Sequence, residues 1–146
     1  MRDRTRVVGI VGSEAAKFTP ETETRARALI RLLLSPGDVV CSGHCHLGGV
    51  DIFAEEVASA LGLEKLIYPP KELNWDHGYR PRNLQIAVAS DVVYCITVRD
   101  YPPMYKGMRF SSCYHCKVDT HVKSGGCWTV KQALKLGKAG QVMVVE

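Results

Sequence analysis

The chain has no apolar stretch able to cross a membrane: its longest runs, such as residues 28–34, are broken by arginine and fall well short of the ~20 residues a spanning helix needs. Proline is not enriched, at 7 residues in 146, and no segment is dominated by one residue type, which excludes fibrous and low-complexity chains. Charge of one sign is not in excess. Nineteen basic and 15 acidic side chains leave a net +4, too little to mark a nucleic-acid binder, whose cations gather in a stripe, though it permits an anionic ligand. Neither a G-x-G-x-x-G nor a Walker motif is present, so dinucleotide and P-loop chemistry are not indicated. The opening Met1-Arg2-Asp3-Arg4-Thr5-Arg6 lacks the apolar stretch of a leader peptide, which points to the cytoplasm.

What is present builds a core. Hydrophobic residues make up 46% of a chain long enough for one domain, here residues 1–146. Six cysteines would suit three disulfides in a secreted mini-protein, but in a chain of this length and pattern they read as reduced thiols. Residues 6–12, RVVGIVG, form a β-branched run that opens into a Gly-Ser loop. Thr19-Pro20 then starts a helix whose apolar positions are Ala26, Leu29, Ile30 and Leu33. A second strand at 38–42, a glycine-rich loop at 43–49 and a helix from Val50 to Gly62 follow. Further strands are expected at 65–68, 91–98 and 141–145, with helices at about 82–89 (Leu84, Ala87 and Val88 inward) and 128–136. Strands alternating with helices specify a three-layer α/β domain, a mostly parallel five-stranded sheet covered on both faces.

In such a sheet, ligands bind outside the carboxyl ends of the strands, where strand order reverses. That rule selects Gly12-Ser13, the loop Ser42-Gly43 to Gly48-Gly49 with Asp51, and Gly125-Gly126 with Thr129. Glycines there let backbone N–H groups meet a phosphate, and the next helix N-terminus favours its charge; the same glycines also serve tight turns. On this reading Gly49→Val or Gly126→Val abolishes ligand binding and leaves most of the fold intact.

Residues 99–125 carry no period, and their second half is crowded with Cys, His and Gly. Cys113, Cys116, His121 and Cys127 follow a C-x2-C-x4-H-x5-C spacing, a ligand set that closes a tetrahedral structural zinc site. It is similar to a CCHC zinc knuckle with one extra residue, inserted at about 99–127. His115 is the alternative imidazole. Cys41, His44, Cys45 and His46 are a further candidate metal cluster, and Cys95 reads as a small core residue.

The stretches Gly9 to Ser13, Ser42 to Asp51, Asn74-Trp75 with Gly78 and Arg82-Asn83, Asp91 to Ile96, and Ser124 to Thr129 together resemble the SLOG superfamily of Rossmann-like domains, named after Smf/DprA and Lonely guy proteins, and within it the YpsA-related subgroup. The resemblance implies a nucleotide or nucleotide-derived ligand in the glycine-lined crevice, with Arg82 and Asn83 at its phosphate, and a dimer. Some members, the Lonely guy proteins, release a base from a nucleoside monophosphate through a P-G-G-x-G-T motif and a following glutamate. Here Ser124 replaces the proline, and Lys131 and Gln132 stand where the carboxylate is expected. Asp51 is then the one carboxylate near the site for N-glycosidase or ribosyl-transfer chemistry, unless it simply favours its helix dipole. A third reading makes the knuckle, with Tyr114, Lys117 and Lys123, a nucleic-acid reader.

Overall fold

The structure, a computed structural model, describes residues 5–146; Met1 to Arg4, on which the leader-peptide reading partly rests, lie outside the described residues. Five strands, β1 (Val7–Gly12), β2 (Val39–Ser42), β3 (Glu64–Ile67), β4 (Val92–Val98) and β5 (Ala139–Val145), alternate with helices α1 (Pro20–Leu33), α2 (Val50–Ala60), α3 (Arg80–Ala89) and α4 (Gly125–Lys135). The sheet is parallel throughout, in the order β3-β2-β1-β4-β5. The chain winds outward from β1 to β3 and returns through α3 to place β4 on the other side of β1. Strand order therefore reverses between β1 and β4, and their carboxyl ends flank the crevice this topology creates.

One core packs α1 and α2 on the sheet through Val8, Ile10, Ile30, Val50 and Phe53. A second, of Val11, Ile86, Val93, Cys95, Val130 and Ala133, lies under α3 and α4. Alpha-1 starts where expected, because Thr19 and Thr22 exchange side-chain and backbone hydrogen bonds in a capping box ahead of Pro20. It buries Ala26 and Ile30 completely, and truncating such an isoleucine to alanine costs about 2–5 kcal/mol. Among the described residues no helix is long and apolar enough to cross a membrane.

Two expectations are corrected. Alpha-3 buries Arg82, Asn83, Ile86 and Ala87, whereas Leu84 and Val88 are 42% and 58% exposed. Its inward stripe is half polar because its first turn faces the crevice, so apolar periodicity selects the wrong face. Alpha-4 begins at Gly125 rather than residue 128, with Ser124 as its N-cap, so the glycine pair and Cys127 belong to its first turn and not to a loop.

Candidate functional site

A crevice of about 490 Å³ opens at the carboxyl ends of β1 and β4. Its floor starts with Gly12-Ser13. Ser13 is buried, its hydroxyl 2.7 Å from that of Thr97, which donates in turn to the Val122 carbonyl at 2.8 Å. This relay fixes the approach to α4, where the Ser124 hydroxyl accepts from the Gly126 N–H at 3.1 Å. The two glycines that follow differ in role. A Cβ on Gly126 would lie 2.7 Å from Cys95 Sγ and 2.9 Å from Val11 Cγ2, so this glycine lets α4 dock on the sheet. A Cβ on Gly125 would meet nothing nearer than Trp75 at 3.8 Å and the Asn83 amide at 3.9 Å. Those are ordinary van der Waals distances, so Gly125 has room for a methyl where Gly126 has none.

Alpha-3 supplies Arg82 and Asn83, 7% and 6% exposed. Arg82 Nε donates to Asn83 Oδ1 at 2.8 Å and Nη1 donates to the Gly43 carbonyl, which holds the guanidinium at the crevice. Asp51, in the first turn of α2, lies 3.9 Å from Arg82 Nη1 and accepts from the Cys45 N–H at 3.1 Å. Burial pushes its carboxyl up to about 6, against the pull of Arg82. A group with that value exchanges protons near neutral pH.

The remaining wall is aromatic and cationic. Trp75 packs edge-on against Trp128, with ring centroids 5.4 Å apart. His115 stands 6.3 Å from Trp75 and 4.5 Å from Tyr114. The Lys17 ammonium donates to the Lys123 carbonyl at 3.3 Å, and burial lowers its pKa. Lys123 lies over the rings of Phe110 and Tyr114.

Of the residues expected from sequence to bind ligand, Gly12, Ser13, Asp51, Arg82, Asn83, Gly125 and Gly126 line this crevice. Ser42, Gly43, Gly48, Gly49 and Thr129 are not on its lining. Ser42 holds Glu55 and the Asp51 carbonyl, Gly43 anchors Arg82, and Thr129 turns back to the Gly125 carbonyl. Gly48 and Gly49 have positive φ, 73° and 88°, and a Cβ on Gly49 would collide with the Ser13 carbonyl. Valine at Gly49 or Gly126 therefore disrupts packing first, contrary to the expectation that both leave the fold intact. Sequence reasoning missed Glu14, Lys17, Tyr79 and His115 as lining residues, so Asp51 is not the one carboxylate at the site. Tyr79 ends the π-helical turn Trp75–Tyr79, a conformation with no sequence signature.

Cys113, Cys116, His121 and Cys127 gather with their ligand atoms all within 4.8 Å of one another. Ligands of a tetrahedral ion with ~2.3 Å bonds to sulfur sit about 3.8 Å apart, so small adjustments close the shell. Cys127 Sγ lies 3.7 Å from His121 Nε2. The C-x2-C turn is closed by the Cys113–Val118 bridge, with Lys117 N–H donating to the Cys113 carbonyl at 2.7 Å and Lys117 at φ 60°. Burial pushes the Cys113 thiol up, but the backbone N–H groups of Cys116 and His115 and the neighbouring cysteines outweigh it and hold the thiol below its ordinary value. These four residues can hold a metal ion. His121, not His115, completes the set, since His115 faces the crevice. The second candidate cluster does not assemble: this is the one such Cys/His grouping among the described residues, Cys41 is buried in β2, and His44 pairs with Glu55 at 2.7 Å.

No protein-family model matches the chain, and no curated protein does. Solved structures do. The molybdenum cofactor carrier protein from Chlamydomonas reinhardtii superposes with a TM-score of 0.56 at 14% identity, over 98% of this chain and 91% of that one. A second structure of that carrier gives 0.61 at 16%, over 98% and 79%. DNA processing protein A from Helicobacter pylori, described for its single-stranded DNA binding, gives 0.56 at 21%, over 94% of this chain and 64% of that one. At such identities the likeness shows the fold alone: the chain shares the Rossmann-like arrangement of these proteins.

Proposed function

We propose that this domain binds a nucleotide or nucleotide-derived small molecule in the crevice between β1 and β4, its phosphate at the first turn of α4 and its ring among Trp75, Trp128 and Tyr79. One observation carries the reading. At the switch point of the sheet, a helix N-terminus whose first glycine, Gly125, lines the crevice meets a buried Arg82-Asn83 pair, the combination of dipole, close approach and charged donor that suits a phosphate. The molybdenum cofactor carrier, similar in fold over almost its whole length, adds a precedent for small-molecule carriage. In the same reading the Cys113, Cys116, His121 and Cys127 cluster holds one structural zinc ion, which orders the connection between β4 and α4, and the protein works in the cytoplasm as a dimer.

Asp51 supports a second reading, that the bound nucleotide is turned over. Its carboxyl lines the crevice and is pushed up to about 6, which suits proton transfer to a leaving base or activation of water. Titration calorimetry of the zinc-loaded protein with a panel of nucleoside monophosphates, followed by chromatography for free base, separates the two. Binding without released base supports carriage, and base release that stops in Asp51→Asn supports catalysis. No binding by any member of the panel refutes both. The DNA processing protein A likeness keeps nucleic acid as a third partner class, tested by salt-dependent binding of single-stranded oligonucleotides that is lost in Tyr114→Ala.

A further inference from the structure

The metal cluster and the crevice share one piece of chain. Tyr114 and His115 are the two residues between Cys113 and Cys116, and His115 reaches the crevice opposite Trp75. On the far side of the cluster, Cys127 lies one residue past Gly126 in the first turn of α4. The knuckle is therefore a wall of the ligand site as well as a clamp on a long loop.

We infer that His115, carried on the metal-bound turn, and Trp75 are the two jaws that select a flat heteroaromatic ring, so that the knuckle sets ligand specificity. The inference rests on the proposed binding reading and adds to it which residues choose the ring. The two rings stand 6.3 Å apart, tilted by 37°. A planar ring in van der Waals contact with both needs about 7 Å between them, so the turn gives by less than about 1 Å on binding. Other rings hold each jaw in place. Trp75 is braced edge-on by Trp128 at 5.4 Å, and His115 is backed by Tyr114 at 4.5 Å. His115 takes no part in the four-residue metal set. Its imidazole is thus free for the ligand, while the cysteines on either side fix its position. A sugar phosphate without a base would meet the α4 N-terminus and Arg82 but gain nothing from the jaws.

The only two tryptophans in the chain are Trp75 and Trp128, so intrinsic fluorescence reports on this wall directly. Zinc-loaded wild type, His115→Ala and His115→Phe are titrated with adenosine monophosphate, guanosine monophosphate and ribose phosphate, with zinc content measured in each. The expected result is quenching by the nucleotides and an affinity for them about fivefold to a hundredfold lower in His115→Ala, the range for loss of one stacking partner. His115→Phe recovers most of that affinity, ribose phosphate binds all three proteins alike, and zinc content does not change. Wild-type nucleotide affinity in His115→Ala, or an equal loss for ribose phosphate, overturns the inference. If wild type binds ribose phosphate as tightly as the nucleotides, the jaws fall while the phosphate site stands. If it binds none of the three, both fall. Loss of zinc in His115→Ala would make the residue a metal ligand and overturn the inference on other grounds.

Discussion

Adjacent glycines in the first turn of α4 permit a test in which one added methyl group has opposite consequences. At Gly125 the nearest atoms to a Cβ are 3.8 and 3.9 Å away, an ordinary contact distance, so Gly125→Ala is accommodated without repacking. Replacing a helical glycine by alanine then adds up to about 1 kcal/mol of stability through reduced chain entropy. The same methyl stands where a phosphate oxygen would approach the helix N–H groups. Losing one charged hydrogen bond of about 1.5–3 kcal/mol lowers affinity roughly tenfold to a hundredfold. At Gly126 the methyl is forced to 2.7 Å from Cys95 Sγ and 2.9 Å from Val11 Cγ2, overpacking that costs about 1–3 kcal/mol. Denaturant unfolding and titration calorimetry with adenosine monophosphate, run on both variants, give the comparison. Gly125→Ala should be at least as stable as wild type and bind weakly, and Gly126→Ala should unfold earlier. Unchanged affinity in Gly125→Ala would remove the anion from the α4 N-terminus, and full stability in Gly126→Ala would refute the packing argument.

Purified protein should carry one zinc ion per chain, and a strong chelator should make residues 99–124 protease-sensitive while weakening nucleotide binding, since zinc–thiolate binding contributes on the order of 10 kcal/mol in small modules; elemental analysis without zinc, with all four ligands reactive or titrating freely, contradicts this. Lys117 has φ 60°, strained for a side chain and worst for a β-branched one, so Lys117→Gly should hold zinc against a competing chelator as well as wild type and Lys117→Val less well; equal retention by both would show that the turn relaxes. The Asp51 carboxyl is raised from an ordinary 3.8 to about 6, so ionising it costs the folded state what it does not cost the unfolded chain. That penalty is absent below about pH 4, grows as pH rises to about 6 and is constant above, reaching about 3 kcal/mol. Asp51→Asn, which keeps an acceptor for the Cys45 N–H, should therefore match or exceed wild-type stability at neutral pH and lose the advantage in acid; a variant less stable at pH 7 would show that the Arg82 attraction dominates.

The elements were legible wherever burial alone decides the residue type. The central strands β1 and β4 are largely buried and rich in β-branched residues, and α1 announces itself through Thr19-Pro20 and an aliphatic stripe. Legibility failed where the site intrudes on the fold. The inner face of α3 begins with Arg82 and Asn83 because it borders the crevice, which breaks the apolar period and turns attention to Leu84 and Val88. The start of α4 was hidden for a related reason: two glycines suggest a turn, yet here both are helical, one to let the helix touch the sheet and the other lining the crevice.

The Cys113, Cys116, His121 and Cys127 grouping was the most legible part of the site, because a set of residues that can hold a metal restricts residue type far more than lining a crevice does. Structural zinc sites draw mostly on Cys and His, and the spacing of such residues survives in the sequence whatever the loop does between them. The lining residues around them carry no such restriction. Lys17 reaches the crevice from a short 3₁₀ turn after β1, and His115 arrives from the knuckle more than a hundred residues after the first strand; nothing in either neighbourhood ties one to the other. Only the ordering of the 99–124 connection brings His115 opposite Trp75. If a metal ion supplies that order, stripping it should lower affinity for adenosine monophosphate more than for ribose phosphate, since the α4 N-terminus keeps its Ser124 cap while the ring loses a wall. Equal losses for the two probes would show that the metal acts on α4 itself, through Cys127, and not through the jaw.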